Sequence, residues 1–101
     1  MKVEINQEGN AYCAQIEGRL DTASAADCEK AMKPLMDNAD KEITLDCSKL
    51  EYISSSGLRL FLSLRKEVLD KGGKLTVAHI NDDIRNVFTI TGFFKLFDIR
   101  L

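Results

Sequence analysis

The sequence predicts a single α/β domain, in which an N-terminal β-hairpin leads into alternating strands and helices that form a mixed sheet with helices packed against it. Three observations predict it. Apolar residues alternate at the start of the chain, as half-buried strands require. From Asp21 the apolar spacing changes to three and four residues, the period of a helix. Beyond Lys41 the two periods take turns, and 101 residues that are 45% hydrophobic suffice for one modest core. No linker, repeat or low-complexity segment divides the chain, so residues 1–101 are expected to form one unit.

Val3 and Ile5 alternate with polar neighbours, Glu8-Gly9-Asn10 can turn, and Tyr12, Ala14 and Ile16 alternate again. This makes a hairpin whose second strand ends at Gly18. A helix is expected from Asp21 to about Asn38, with Ala25, Cys28, Met32, Leu35 and Ala39 on one face. Asp21 or Thr22 can cap it. Pro34, the only proline, removes one backbone bond late in this helix and predicts a kink or an early end there.

Ile43, Leu45 and Cys47 mark a short strand, and Ser48 to Ile53 carries the chain to a serine run. The next helix runs from about Ser55 to Lys71 and stops at Gly72-Gly73. Leu58, Leu60, Phe61, Leu62, Leu64, Val68 and Leu69 cover a wide apolar arc of it, opposite a narrow polar stripe of Arg59, Ser63, Lys66 and Asp70. Most of this helix is therefore expected to be packed. Arg65 falls inside the arc, where its stem can lie on the core while its charge reaches water. Leu75 and Val77 make a further strand. Asn81 or Asp82 can cap a third helix, with Ile84, Val87 and Phe88 inward and Gly92 at its end. Phe93 and Phe94 read as core packing of the last segment, in which Phe97, Ile99 and Leu101 alternate as a short closing strand. The right-handed crossover rule makes the strands after the hairpin mostly parallel.

Sixteen acidic and fourteen basic residues leave a net charge of −2, and no run of Lys and Arg is present to neutralise a nucleic-acid backbone. No stretch approaches the roughly 20 apolar residues that span a bilayer, and the alternating start is unlike a signal peptide. A cytoplasmic protein without direct membrane insertion is expected. Cys13, Cys28 and Cys47 show no CxxC spacing and are read as small buried thiols, with neither a metal nor a cofactor implied. An enzymatic reading would make Ser55 a nucleophile and His79 its base. Ile53 stands where the G-x-S-x-G elbow has its first glycine, and no phosphate-cradling P-loop is present, so the chain is not expected to be an enzyme.

The most informative segment is Asp46-Cys47-Ser48-Lys49-Leu50-Glu51-Tyr52-Ile53-Ser54-Ser55-Ser56-Gly57-Leu58-Arg59-Leu60. A strand, a turn and a capped helix need one serine and a glycine. Three successive hydroxyls exceed that need, and they stand where unpaired N–H groups and the positive end of the helix dipole favour an anion. A serine phosphorylated there gains about −1.5 to −2 charges. The fold should tolerate them, whereas a partner docked on the same helix end would have to desolvate them.

This segment resembles the signature of STAS domains in anti-sigma factor antagonists, where a strand leads through D-[ST]-[ST]-G-L into a helix. Gly18-Arg19-Leu20-Asp21 is similar to the G-x-L-D of the same family, and the order of elements matches along essentially the whole chain. The resemblance implies that Ser55 is the phosphate acceptor, with Asp21, Ser54, Ser56, Gly57, Leu58 and Arg59 as the switch neighbourhood and partner-binding residues. Ser54 departs from the family by replacing the Asp that precedes the acceptor. The resemblance also implies partner switching. The unphosphorylated protein would bind an anti-sigma factor and so release a sigma factor, the anti-sigma factor would itself be the serine kinase, and a separate phosphatase would reset the serine. ATP and magnesium would belong to that partner. An alternative from the same fold is a structural subunit that binds the ATPase of an ABC lipid transporter.

Overall fold

The N-terminal alternation folds as an antiparallel hairpin, β1 (Lys2–Glu8) with β2 (Ala11–Leu20), turning at Gly9, whose φ of 59° suits glycine. In this computed structural model, which describes residues 1–100, seven further strands and α-helices follow, with a 3₁₀ turn before the last. These are α1 (Ala25–Ala31), α2 (Lys33–Asp37), β3 (Glu42–Ile53), α3 (Ser55–Lys71), β4 (Lys74–Ala78), α4 (Asp82–Thr91) and β5 (Asp98–Arg100). The five strands form one mixed sheet in the order β1-β2-β3-β4-β5, antiparallel at β1/β2 and parallel elsewhere. Each parallel crossover steps to the next strand in the same direction, so right-handed connections place the helices on one face. The core accordingly joins Ile16, Ile43, Leu45 and Val77 of the sheet with Cys28, Leu35, Phe61, Leu64, Ile84 and Phe88 of the helices.

Several expectations need correction. β2 does not end at Gly18 but runs to Leu20, because Gly18 takes a φ of 98° and keeps the chain in the sheet through an irregularity instead of leaving it. β3 is not short: it continues through Ser48 to Ile53. Gln15 pairs with Asp46 and Leu20 with Ile53, so five steps along β2 match seven along β3, and β3 carries two extra residues in bulges. Each bulge reverses the side-chain alternation, which is why Cys47, Leu50 and Ile53 are all buried at a spacing of three. The helix expected over Asp21–Asn38 is two helices that break at Met32. Pro34 sits in the first turn of α2, where its missing N–H costs nothing, and Cys28, Met32, Leu35 and Ala39 still share the buried face.

α3 keeps its expected limits, closed by Gly72 in the left-handed conformation at φ 76°. Leu69 is nonetheless 62% exposed at its last turn, outside the packed arc. Arg65 donates from Nε to the Leu96 carbonyl at 2.7 Å, which ties α3 to the segment before β5. Phe93 is buried, stacked on Phe97 and tilted against Phe88, but Phe94 is partly exposed, because the 3₁₀ turn Phe93–Lys95 points successive rings in different directions. Cys28 and Cys47 are buried thiols, and desolvation raises their pKa values to about 11 and about 12. Cys13 is only half-buried, since its neighbours Tyr12 and Ala14 take the core-facing positions of β2. Leu101, expected in the closing strand, lies outside the described residues. Among those residues no helix is long and apolar enough to cross a membrane.

Asn81 joins two parts of this frame. Its side-chain oxygen caps α4 by accepting from the Ile84 N–H at 2.8 Å, and its amide donates to the Leu50 carbonyl of β3 at 2.9 Å. Asn81→Ala removes both bonds and is expected to cost about 1–2 kcal/mol, read as a lower urea midpoint with an unchanged m-value. An unaltered midpoint would show that water replaces both bonds.

Candidate functional site

The serine run lies where β2 and β3 end side by side. Leu20 is in register with Ile53, and the Ser54 N–H donates to the Leu20 carbonyl at 2.8 Å, extending the ladder by one bond before the chain turns. Ser54 is extended, with φ −91° and ψ 174°, and its hydroxyl accepts from the Gly57 N–H at 3.3 Å. It is therefore the N-cap of α3 and supplies the hydrogen bond that a capping carboxylate would otherwise provide.

Gly57 is required by packing. A Cβ at this position would stand 2.6 Å from Leu20 Cγ and 2.8 Å from Ile53 Cγ1, closer than real side chains approach. Its absence lets the first turn of α3 sit directly on the ends of both strands, with Leu58 buried beside it. This fixes where the three hydroxyls point. Ser54 turns inward as the cap, Ser55 is exposed, and Ser56 is partly exposed with its Oγ 3.5 Å from Thr22 Oγ1. Ser55 alone of the three has no hydrogen bond from its hydroxyl among the described residues. Arg59 is exposed on the same turn and makes no ion pair among those residues.

Across from the serines, Asp21 and Ser24 bond reciprocally. The Ser24 N–H donates to Asp21 Oδ1 and the Asp21 N–H donates to Ser24 Oγ, both at 3.0 Å. This resembles a capping box, although the segment they close is the turn before α1 and not the helix itself. The Ser24 hydroxyl also lies 2.8 Å from the Arg19 carbonyl and 3.0 Å from Asp21 Oδ1, either of which can accept its single proton. Asp21 thus holds the turn that presents Thr22 to Ser56. The bonds from Ser24, backbone first and hydroxyl second, keep the Asp21 carboxyl below the usual aspartate range, with Arg19 assisting. Arg19 itself lies with its guanidinium 4.5 Å from the centre of the Tyr52 ring, a cation–π pair set by the Arg19–Tyr52 register.

The structure therefore gathers Asp21, Ser54, Ser55, Ser56, Gly57, Leu58 and Arg59 at one end of the sheet. Sequence reasoning missed Thr22 as a contact, Ser24 as the partner of Asp21, and the Arg19–Tyr52 pair. The D-x-x-S spacing was the available signal for Ser24. Nothing local signals the other two, whose partners are more than thirty residues apart.

The STAS domain family model matches residues 2–101. BtrV of Bordetella bronchiseptica, provisionally named an anti-sigma factor antagonist, is 29% identical over 99 residues, 98% of this chain and 85% of that protein. The anti-sigma-B factor antagonist of Staphylococcus aureus is 23% identical over 100 residues, 99% and 93% of the two chains. Among solved structures, the anti-sigma factor antagonist SpoIIAA in its unphosphorylated form shares the fold at a TM-score of 0.73 and 15% identity, over 99% of this chain and 87% of that one. The phosphorylated form of SpoIIAA, from Bacillus, gives 0.72 and 16%, over 97% and 90%.

Two measurements test the geometry. Gly57→Ala is expected to destabilise the fold: helix propensity gains about 1 kcal/mol, but overpacking against Leu20 and Ile53 costs about 1–3 kcal/mol. A rise in the denaturation midpoint would mean that α3 can lift off the strands freely. Because the Asp21 pKa is lowered on folding, its ionised form supports the fold above the ordinary value of about 3.9, and that support is lost as pH falls through the lowered folded-state pKa. NMR titration of Asp21 should show a midpoint below the ordinary value that moves up in Ser24→Ala. A midpoint indifferent to Ser24→Ala would remove the assigned cause.

Proposed function

The chain belongs to the STAS domain family, and we propose that it is an anti-sigma factor antagonist acting in the cytoplasm, a regulatory binding module and not an enzyme, switched by phosphorylation of Ser55. Unphosphorylated, it binds an anti-sigma factor through the first turn of α3 and the Asp21–Ser24 turn, and so frees a sigma factor. Phosphorylation by the anti-sigma factor's serine kinase activity ends that binding, and a phosphatase restores it.

The observation that carries the reading is the different state of the three hydroxyls. Ser54 and Ser56 are engaged with Gly57 and Thr22, whereas Ser55 is exposed with an uncommitted hydroxyl. A kinase reaches Ser55 without breaking a bond of the fold. The first turn of α3 carries no acidic residue, and the cap is a neutral serine, so the positive end of the helix dipole is uncompensated. A phosphate on Ser55 is stabilised there by about 0.3–1 kcal/mol, and the domain stays folded. A partner seated on the same turn meets the opposite balance, because desolvating the new charge without a cation costs several kcal/mol. The names of the relatives and the two phosphorylation forms of SpoIIAA support the same direction.

Titration calorimetry against the anti-sigma partner tests this reading. Ser55→Ala should bind like the parent protein, while Ser55→Asp should bind at least about a hundredfold more weakly, with a melting temperature close to the parent's. Equal affinity of Ser55→Asp and the parent would overturn it.

A further inference from the structure

We propose that β1 is the interface of a homodimer, in which the β1 strands of two copies pair antiparallel about a two-fold axis through Ile5. β1 is an edge strand. All seven of its residues pair with β2, and its outward N–H and C=O groups have no backbone partner among the described residues. The other edge, β5, has three described residues. Natural edges are blunted by shortness, proline, bulges or charged side chains; β1 is seven residues, KVEINQE, in unbroken register with β2 and without proline, so only its charges, Lys2, Glu4 and Glu8, guard it, and a pairing strand has to match them.

The side chains of β1 match a second copy of themselves. With the axis at Ile5, Lys2 stands opposite the second copy's Glu8 and Glu8 opposite its Lys2, while Val3 faces Gln7, Glu4 faces Asn6 and Ile5 faces Ile5. Both charge pairs are complementary, and no like charges meet. The neighbouring registers that keep the core-facing side chains on one face are worse. An axis at Glu4 sets that carboxylate against itself, an axis at Asn6 sets Glu4 against Glu8 twice, and an axis at Val3 leaves only Lys2, Val3 and Glu4 paired within the strand. An axis between two residues would place apolar against polar side chains. The Ile5 register alone uses the whole strand. It also continues the apolar row, since Val3 and Ile5 are partly buried and already pack on the core. The two five-stranded sheets become one continuous sheet. A seven-residue strand pair is a small interface, so association depends on protein concentration.

Sedimentation equilibrium of the full chain tests the proposal. The parent protein should dimerise as concentration rises towards millimolar. K2E and E8K should each set like charges opposite one another twice per dimer and dimerise about tenfold more weakly. The double variant K2E/E8K should recover the parent's behaviour, and an equimolar mixture of the K2E and E8K proteins should form heterodimers, because both cross-strand pairs are then complementary. Circular dichroism confirms that each variant is folded, and E8K, whose pairing partner on β2 is Ala11, leaves the hairpin's own contacts almost untouched. A parent protein that stays monomeric throughout, a dimer indifferent to both single substitutions, or a mixture that fails to associate would each overturn the proposal.

Discussion

The uneven pairing of β2 with β3 is the constraint on which the rest depends. Five steps of one strand are matched by seven of the other, and the two extra residues are absorbed before the strands finish together at Leu20 and Ile53. That shared ending gives Ser54 a carbonyl to bond and gives Gly57 two side chains to rest upon. Without the two bulges, strict alternation from Cys47 would turn Lys49 and Glu51 towards the core and Leu50 away from it, and Leu20 would stand opposite Glu51 instead of Ile53.

From this ending follows a division of labour among three chemically identical side chains. Backbone geometry, and not residue type, decides that one serine caps, one touches the neighbouring turn and one is free. The neutral cap matters for the same reason. A carboxylate at Ser54 would already satisfy the electrostatic demand of the helix end, whereas a hydroxyl satisfies the hydrogen bond and leaves the field in place. α4 illustrates the alternative, with Asp82 and Asp83 in its first turn.

The parts of the fold governed by local chemistry were legible in the sequence. The limits of α3 were set by a serine cap and Gly72, those of α4 by Asn81 and Gly92, and the inward face of α1 and α2 by a spacing that survived the break at Met32. The second half of β3 was not legible, because a period of two cannot describe a strand with two bulges. The run Cys47, Leu50, Ile53 looks like neither a strand nor a helix. Gly18 misled for a related reason: a glycine with positive φ can end a strand or bend one, and only the neighbouring strand decides which. At the candidate site the serines and Asp21 were visible as a motif, but Thr22 against Ser56 and Arg19 over Tyr52 are products of chain folding between distant segments.

The two bonds of Asn81 have a consequence for local unfolding. The residue that starts α4 also holds the carbonyl of Leu50, which lies among the bulged residues of β3. Fraying of the first turn of α4 therefore cannot stay within that helix, because it releases a strand group three residues before Ile53. Asn81 thus ties the opening of the first turn of α4 to the stretch of β3 that leads into the serine turn, where a lone helix start would fray by itself.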